Sequence, residues 1–257
     1  SSAASDVYKR QVYISHYLPP DVLSNLGVFL DAIVNTKGMS IYWFFPPLFA
    51  LYLVIPVFSQ ISEDKRKNTF LYGSAIAFII CSCLPLLLSF LKVSFNMPVI
   101  GGGILGYLFL GYYITHYNIP KKIRTRMIYP LGAFGLLLRY VGTLVESFHI
   151  EAVGRTFSGY ERFPCVVFSV AVFVWFWYHD WSFLNSGKKK HFLRVVSGAS
   201  FGVYLTHFYI LRYFVDTLQL DMQSWQWRVW GVPAVYLSSL IITLALKRVP
   251  GINKLVP

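Results

Sequence analysis

Seven apolar stretches, each of about 16 to 22 residues, decide what this 257-residue chain can fold into, because each is long enough as a helix to cross a hydrocarbon core of about 30 Å. They cover residues 41–60, 70–91, 98–117, 127–145, 163–178, 195–215 and 229–246. Ten-residue segments of alternating polar and apolar residues, the pattern of a membrane β-barrel, do not occur. Charge for a water-facing surface is also lacking: 13% of the residues are charged, against about 25% in soluble domains. The expected fold class is therefore all-α, a polytopic transmembrane helix bundle with seven spans, and its first partner is the lipid bilayer. Trp175, Trp177, Trp225, Trp227 and Trp230 gather at span ends, where amphipathic rings suit the headgroup level.

The formal net charge of +12 would suggest nucleic acid in a soluble protein, but here the cations cluster between spans. Lys65, Arg66 and Lys67, then Lys121, Lys122, Arg124 and Arg126, then Lys188, Lys189, Lys190 and Arg194, and finally Lys247, Arg248 and Lys254 fall on one side. That side holds about 14 basic residues and the other about 6, interspersed with acids. The expected placement is integral to the cytoplasmic (inner) membrane, multi-pass, with a cytoplasmic C-terminus and no nucleic-acid partner. Residues 12–40 then lie outside, as an extracytoplasmic segment in which DVLSNLGVFLDAIV has the spacing of an interfacial helix.

Residues 1–11, SSAASDVYKRQ, lack the apolar middle of a signal peptide and match the translation of a transposase adapter used in sequencing libraries. They are expected to be an artefact fused in frame, which makes residues 41–257 a truncated transmembrane domain cut upstream of Val12.

Arg139, in GLLLRYVG near the middle of the fourth span, is the residue that most demands a reason. A charge at that depth costs about 2.5 to 3.5 kcal/mol on insertion scales, so it should meet a polar cavity, a carboxylate or a ligand. The structural alternative pairs it with helix carbonyls or with Glu146, two turns away. In the sixth span, Ser200, Tyr204 and His207 recur at helical spacing and make a polar stripe on an apolar helix. His207 suits general-base work near neutral pH, or a structural hydrogen bond. The acids and aromatics of residues 146–162 and 216–228 form either a rim that receives a sugar or ordinary interfacial loops. The glycines of the third span fit close helix packing. Cys81, Cys83 and Cys165 all fall in apolar runs, so no metal site is expected.

Three stretches carry a resemblance. IYWFFPPLFALYLVIPVF, GYLFLGYYI and SFGVYLTHFYIL resemble, in order and spacing, helices of the acyltransferase-3 family of integral membrane acyltransferases, which includes bacterial polysaccharide O-acetyltransferases. Departures occur at Ile41 and Tyr42, where the family has His-Leu before Trp43, and at Phe208, where it has Pro. The family's first helix, with an Arg and its presumed catalytic His, has no counterpart here. About ten spans are expected of the intact protein, and the fragment alone is expected to be inactive.

The resemblance implies transfer of an acyl group from acyl-CoA, most simply acetyl-CoA, to a hydroxyl of a glycan or glycolipid acceptor at the cell envelope. No bound cofactor is implied beyond that donor substrate. Arg139 would supply positive charge to the reacting centre, Tyr204 and His207 would line or orient it, and Lys121, Lys122, Arg124 and Arg126 would hold the CoA phosphates. The competing reading is a transporter or flippase component for a glycan or lipid-linked substrate, in which Arg139 and the polar stripe line a path.

Overall fold

The computed structural model describes residues 44–93, 95, 102–152, 154–221 and 224–249. Among these, regular structure is helical throughout, and seven helices follow in the predicted order. They are α1 (Phe45–Ser59), α2 (Glu63–Phe90), α3 (Gly102–His116), α4 (Lys121–Ile150), α5 (Phe163–Tyr178), α6 (Gly187–Arg212) and α7 (Trp225–Leu246). α2, α4 and α7 are long and apolar enough to cross a membrane, and α1 and α5 are shorter apolar helices. The adapter-like residues 1–11, the segment 12–40 and the predicted span starts at 41–43 and 98–101 lie outside the described residues.

Two boundaries differ from expectation for one reason. The cations assigned to loops before the fourth and sixth spans, Lys121 to Arg126 and Lys188 to Arg194, sit inside α4 and α6. Unbranched Lys and Arg side chains favour helix, and from a first turn they reach water along their own stems, so nothing stops the helix at the edge of the apolar run.

Prolines shape the two longest helices. The turn Ile79–Cys83 of α2 and the turn Arg124–Ile128 of α4 are π-helical, and each ends two residues before a proline, Pro85 and Pro130. A proline has no N–H for the carbonyl four residues back and its ring crowds that carbonyl, so the preceding turn widens. In α2 the widened turn carries Ser82, which is buried and whose Oγ donates to the carbonyl of Glu161 at 2.5 Å.

The chain divides into two compact units, Ser1–His179 and Asp180–Pro257. In the first, α2 pairs with α3 and α4 with α5. Small residues set both approaches: a Cβ on Gly106 would stand 2.7 Å from the Cβ of Ala77, and Gly132 and Gly135 let α4 lie directly on Ala171 and Val167 of α5. Phe58, Phe70 and Phe109 stack and edge-pack around the α2–α3 pair, with centroids 4.8 Å apart for the Phe70–Phe109 stack. In the second unit α6 packs on α7 through Ala199, Val203 and Leu240, and Lys247 Nζ donates to the Gly198 carbonyl at 2.7 Å.

Candidate functional site

Arg139 lies on one face of α4 with Gly132, Gly135, Gly142 and Glu146, at successive spacings of three and four residues. At Gly132 and Gly135 that face packs on α5, so the guanidinium stem of Arg139 passes beside a strip of glycines to the neighbouring helix. Its Nη1 stands 3.5 Å from the Sγ of Cys165, a buried residue of α5. No carboxylate reaches it among the described residues, and its other N–H groups make no hydrogen bond there. Glu146, the partner offered by the structural alternative, is engaged elsewhere: its Oε1 accepts from the Thr156 hydroxyl at 2.6 Å and its Oε2 from the Thr156 N–H at 3.1 Å.

Around Cys165 stand groups that sequence reading did not select. Tyr107 of α3 is hydrogen-bonded by the Ser169 side chain and donates its own proton to the Tyr160 carbonyl at 2.7 Å. Ser169 is one turn beyond Cys165 on α5, so the pair shares the face that Arg139 approaches. A cation inside a span requires polar company, and a search of the neighbouring spans for polar residues at helical spacing would have found Cys165 and Ser169. Tyr107, one aromatic among many, gave no such sign.

Residues 154–162 fold back over this end of the unit. Glu161 Oε1 accepts from the Gly103 N–H at 3.1 Å, a carboxylate at a helix N-terminus where the backbone dipole favours it. Phe157 rests against Gly142, and the Gly154 N–H donates to Ser147 Oγ at 2.9 Å. Two acids of the expected sugar rim, Glu146 and Glu161, are thus internal ties of the segment.

At the opposite end the predicted phosphate-binding cations separate into two kinds. Arg124 is a structural pin: its guanidinium lies 3.8 Å from the centroid of the Tyr178 ring and its Nε donates to the Ile119 carbonyl at 3.1 Å. Arg66 does similar work, capping the C-terminus of α1 through the carbonyls of Ser59 and Ile61 and reaching Tyr112. Lys121, Lys122 and Arg126 are exposed, with no side-chain partner among the described residues.

In the second unit Tyr204 and His207 are brought together, ring centroids 5.8 Å apart, while Ser200 turns its hydroxyl back to the Val196 carbonyl. His207 Nδ1 faces the carbonyls of Tyr204 at 2.6 Å and Val203 at 3.2 Å. Carbonyls only accept, so Nδ1 carries the proton and, in the neutral ring, the lone pair is on Nε2. The helix backbone thereby sets the tautomer that accepts a proton at the far edge of the ring.

A model of the acyltransferase-3 family, described as an acyltransferase domain, matches residues 11–248. The chain belongs to the acyltransferase-3 family. No curated protein and no solved structure matches it. The helical architecture of this membrane acyltransferase agrees with that membership, and the match takes in both units and therefore Arg139, Tyr204 and His207 alike.

Proposed function

We propose that this membrane acyltransferase moves an acyl group, most simply acetyl, from acyl-CoA to a hydroxyl of a cell-envelope or exported glycan. The observation that carries the reading is the state of Arg139: a guanidinium well inside a span, engaged only by a weakly accepting sulfur among the described residues, with donors to spare. Attack of a hydroxyl on a thioester carbonyl places negative charge on that carbonyl oxygen, and the planar fork of Arg139 is suited to receive it. The hydroxyl forms the new ester as the thiolate of CoA departs and takes up a proton.

In the second unit the Nε2 of His207 accepts a hydrogen bond from a hydroxyl, and Tyr204 supports the ring. At the basic end of the first unit Lys121, Lys122 and Arg126 offer charge to CoA phosphates, whereas Arg124 is committed to Tyr178. We place that end in the cytoplasm, in the inner membrane, because that is where basic flanks accumulate.

The test supplies acyl-CoA labelled in its acyl group to membranes holding the protein expressed from its natural reading frame. Label should appear on glycan hydroxyls as an ester released by mild alkali. Full-length, membrane-inserted protein that leaves no label on glycan while glycan still crosses the membrane would overturn the reading in favour of transport.

A further inference from the structure

Between α2, α3, α4 and α5 the first unit holds an elongated cleft of about 240 Å³. Leu71, Phe78, Leu110, Leu131 and Val170 are typical of its walls, and its hydroxyls come from Ser74, Ser82 and Tyr107. All three hydroxyls are already satisfied, by the carbonyls of Phe70, Glu161 and Tyr160. An apolar cavity without free polar groups stays dry, and a polar arm such as pantetheine would leave its amides unpaired there, so the chemistry that fits is hydrocarbon.

The length of the cleft narrows the occupant. Along α2 its wall runs from Leu71 to Ser82, about 16 Å of helix, close to half of a hydrocarbon core of about 30 Å. That is the reach of one lipid tail in one leaflet. At the Ser82 end the segment carrying Tyr160 and Glu161 is tied across the helices. At the Leu71 end, one turn back on the same face of α2, stands Lys67, exposed, with its ammonium 5.6 Å from the centroid of the Tyr117 ring. A single-tail slot with a cation at its mouth is complementary to a lipid whose head carries negative charge.

We propose that the cleft holds one tail of an anionic phospholipid of the surrounding bilayer, with the lipid phosphate on Lys67. The site uses none of the residues assigned to acyl transfer, and Tyr107 borders both the cleft and the surroundings of Cys165. Filling the slot with a tail replaces empty space between four helices by dispersion contacts, which makes the lipid a structural part of the first unit.

The experiment places the purified protein in phosphatidylcholine vesicles containing a trace of phosphatidylglycerol with a photoreactive diazirine in one tail, and maps the residues modified on illumination. Adducts should concentrate on cleft residues such as Ser74 and Val170 and saturate at one lipid per protein. Unlabelled phosphatidylglycerol should compete about fivefold better than phosphatidylcholine, the worth of one lysine at a membrane surface. Lys67→Gln, a surface change, should erase that preference. Val170→Trp, which fills the cleft from α5, should remove the cleft adducts and leave those on outward-facing Leu53 and Leu137. If Val170→Trp does not fold, the Lys67→Gln comparison decides alone. Equal, non-saturating labelling of Val170, Leu53 and Leu137 would overturn the proposal, and so would palmitoyl-CoA displacing the probe better than phosphatidylglycerol does.

Discussion

The guanidinium of Arg139 reaches across from α4 to the thiol of Cys165 on α5, Nη1 to Sγ 3.5 Å, over a strip of glycines that lets the two helices lie in contact. Cation and thiol therefore report on each other. Cys165 is 5% exposed, so in the folded protein it should resist a membrane-permeant maleimide that modifies it fully after denaturation. Arg139→Ala removes the side chain lying over it and should raise its labelling rate by about tenfold or more. Mass-spectrometric quantification of the Cys165 peptide measures this. Labelling that is fast in the unmodified protein would place the thiol elsewhere.

Helix contact on that face is the second expectation. A Cβ on Gly135 would stand 2.8 Å from the Pro164 carbonyl and press on Val167, so Gly135→Val should destabilise the protein by about 1 to 3 kcal/mol. Gly111, where an added Cβ meets nothing within 4 Å, is the control, and Gly111→Ala should leave stability near its starting value. Thermal unfolding in detergent, followed by fluorescence-detected size exclusion, separates the two.

His207 admits a division between its two nitrogens. His207→Asn keeps a donor near the Nδ1 position for the carbonyls of Val203 and Tyr204 but has nothing at Nε2, whereas His207→Gln reaches toward Nε2. Asn should fold normally and lose about 10² to 10⁴ in acyl transfer per molecule, the usual range for a lost proton-transfer group. Gln should retain more. Equal activity of both with the unmodified protein would remove Nε2 from the chemistry.

Orientation follows from the basic first turns. Single cysteines at Lys122 and at Glu151, in a version without Cys81, Cys83 and Cys165, should label from opposite sides of sealed vesicles. In intact cells an impermeant reagent should reach the cysteine at 151 and not the one at 122. The reverse pattern would invert the topology.

The seven helices were legible because apolar runs of span length leave a chain few alternatives in lipid. The ends of α4 and α6 were not, since hydropathy marks where lipid stops and says nothing of where a lysine-bearing turn stops being helical. The need of Arg139 for company was readable, but its partner was not: Glu146 carries the opposite charge at helical spacing, and only the fold-back of 154–162 shows that Thr156 already holds it. Likewise Arg124 and Lys122 are equal as charges in the sequence. A ring at Tyr178, 54 residues on, makes one a pin and leaves the other exposed.

Whether Arg139 serves the transferred acyl group is decided by Arg139→Lys. Lysine keeps the charge and loses the planar fork, so acyl transfer per folded molecule, assayed in the protein expressed from its natural reading frame, should fall by about 10²-fold or more. Abundance and thermal stability should change little, because a sulfur acceptor at 3.5 Å contributes little to the fold. Undiminished transfer by Arg139→Lys and Arg139→Gln at normal abundance would contradict that role and remove Arg139 from the site.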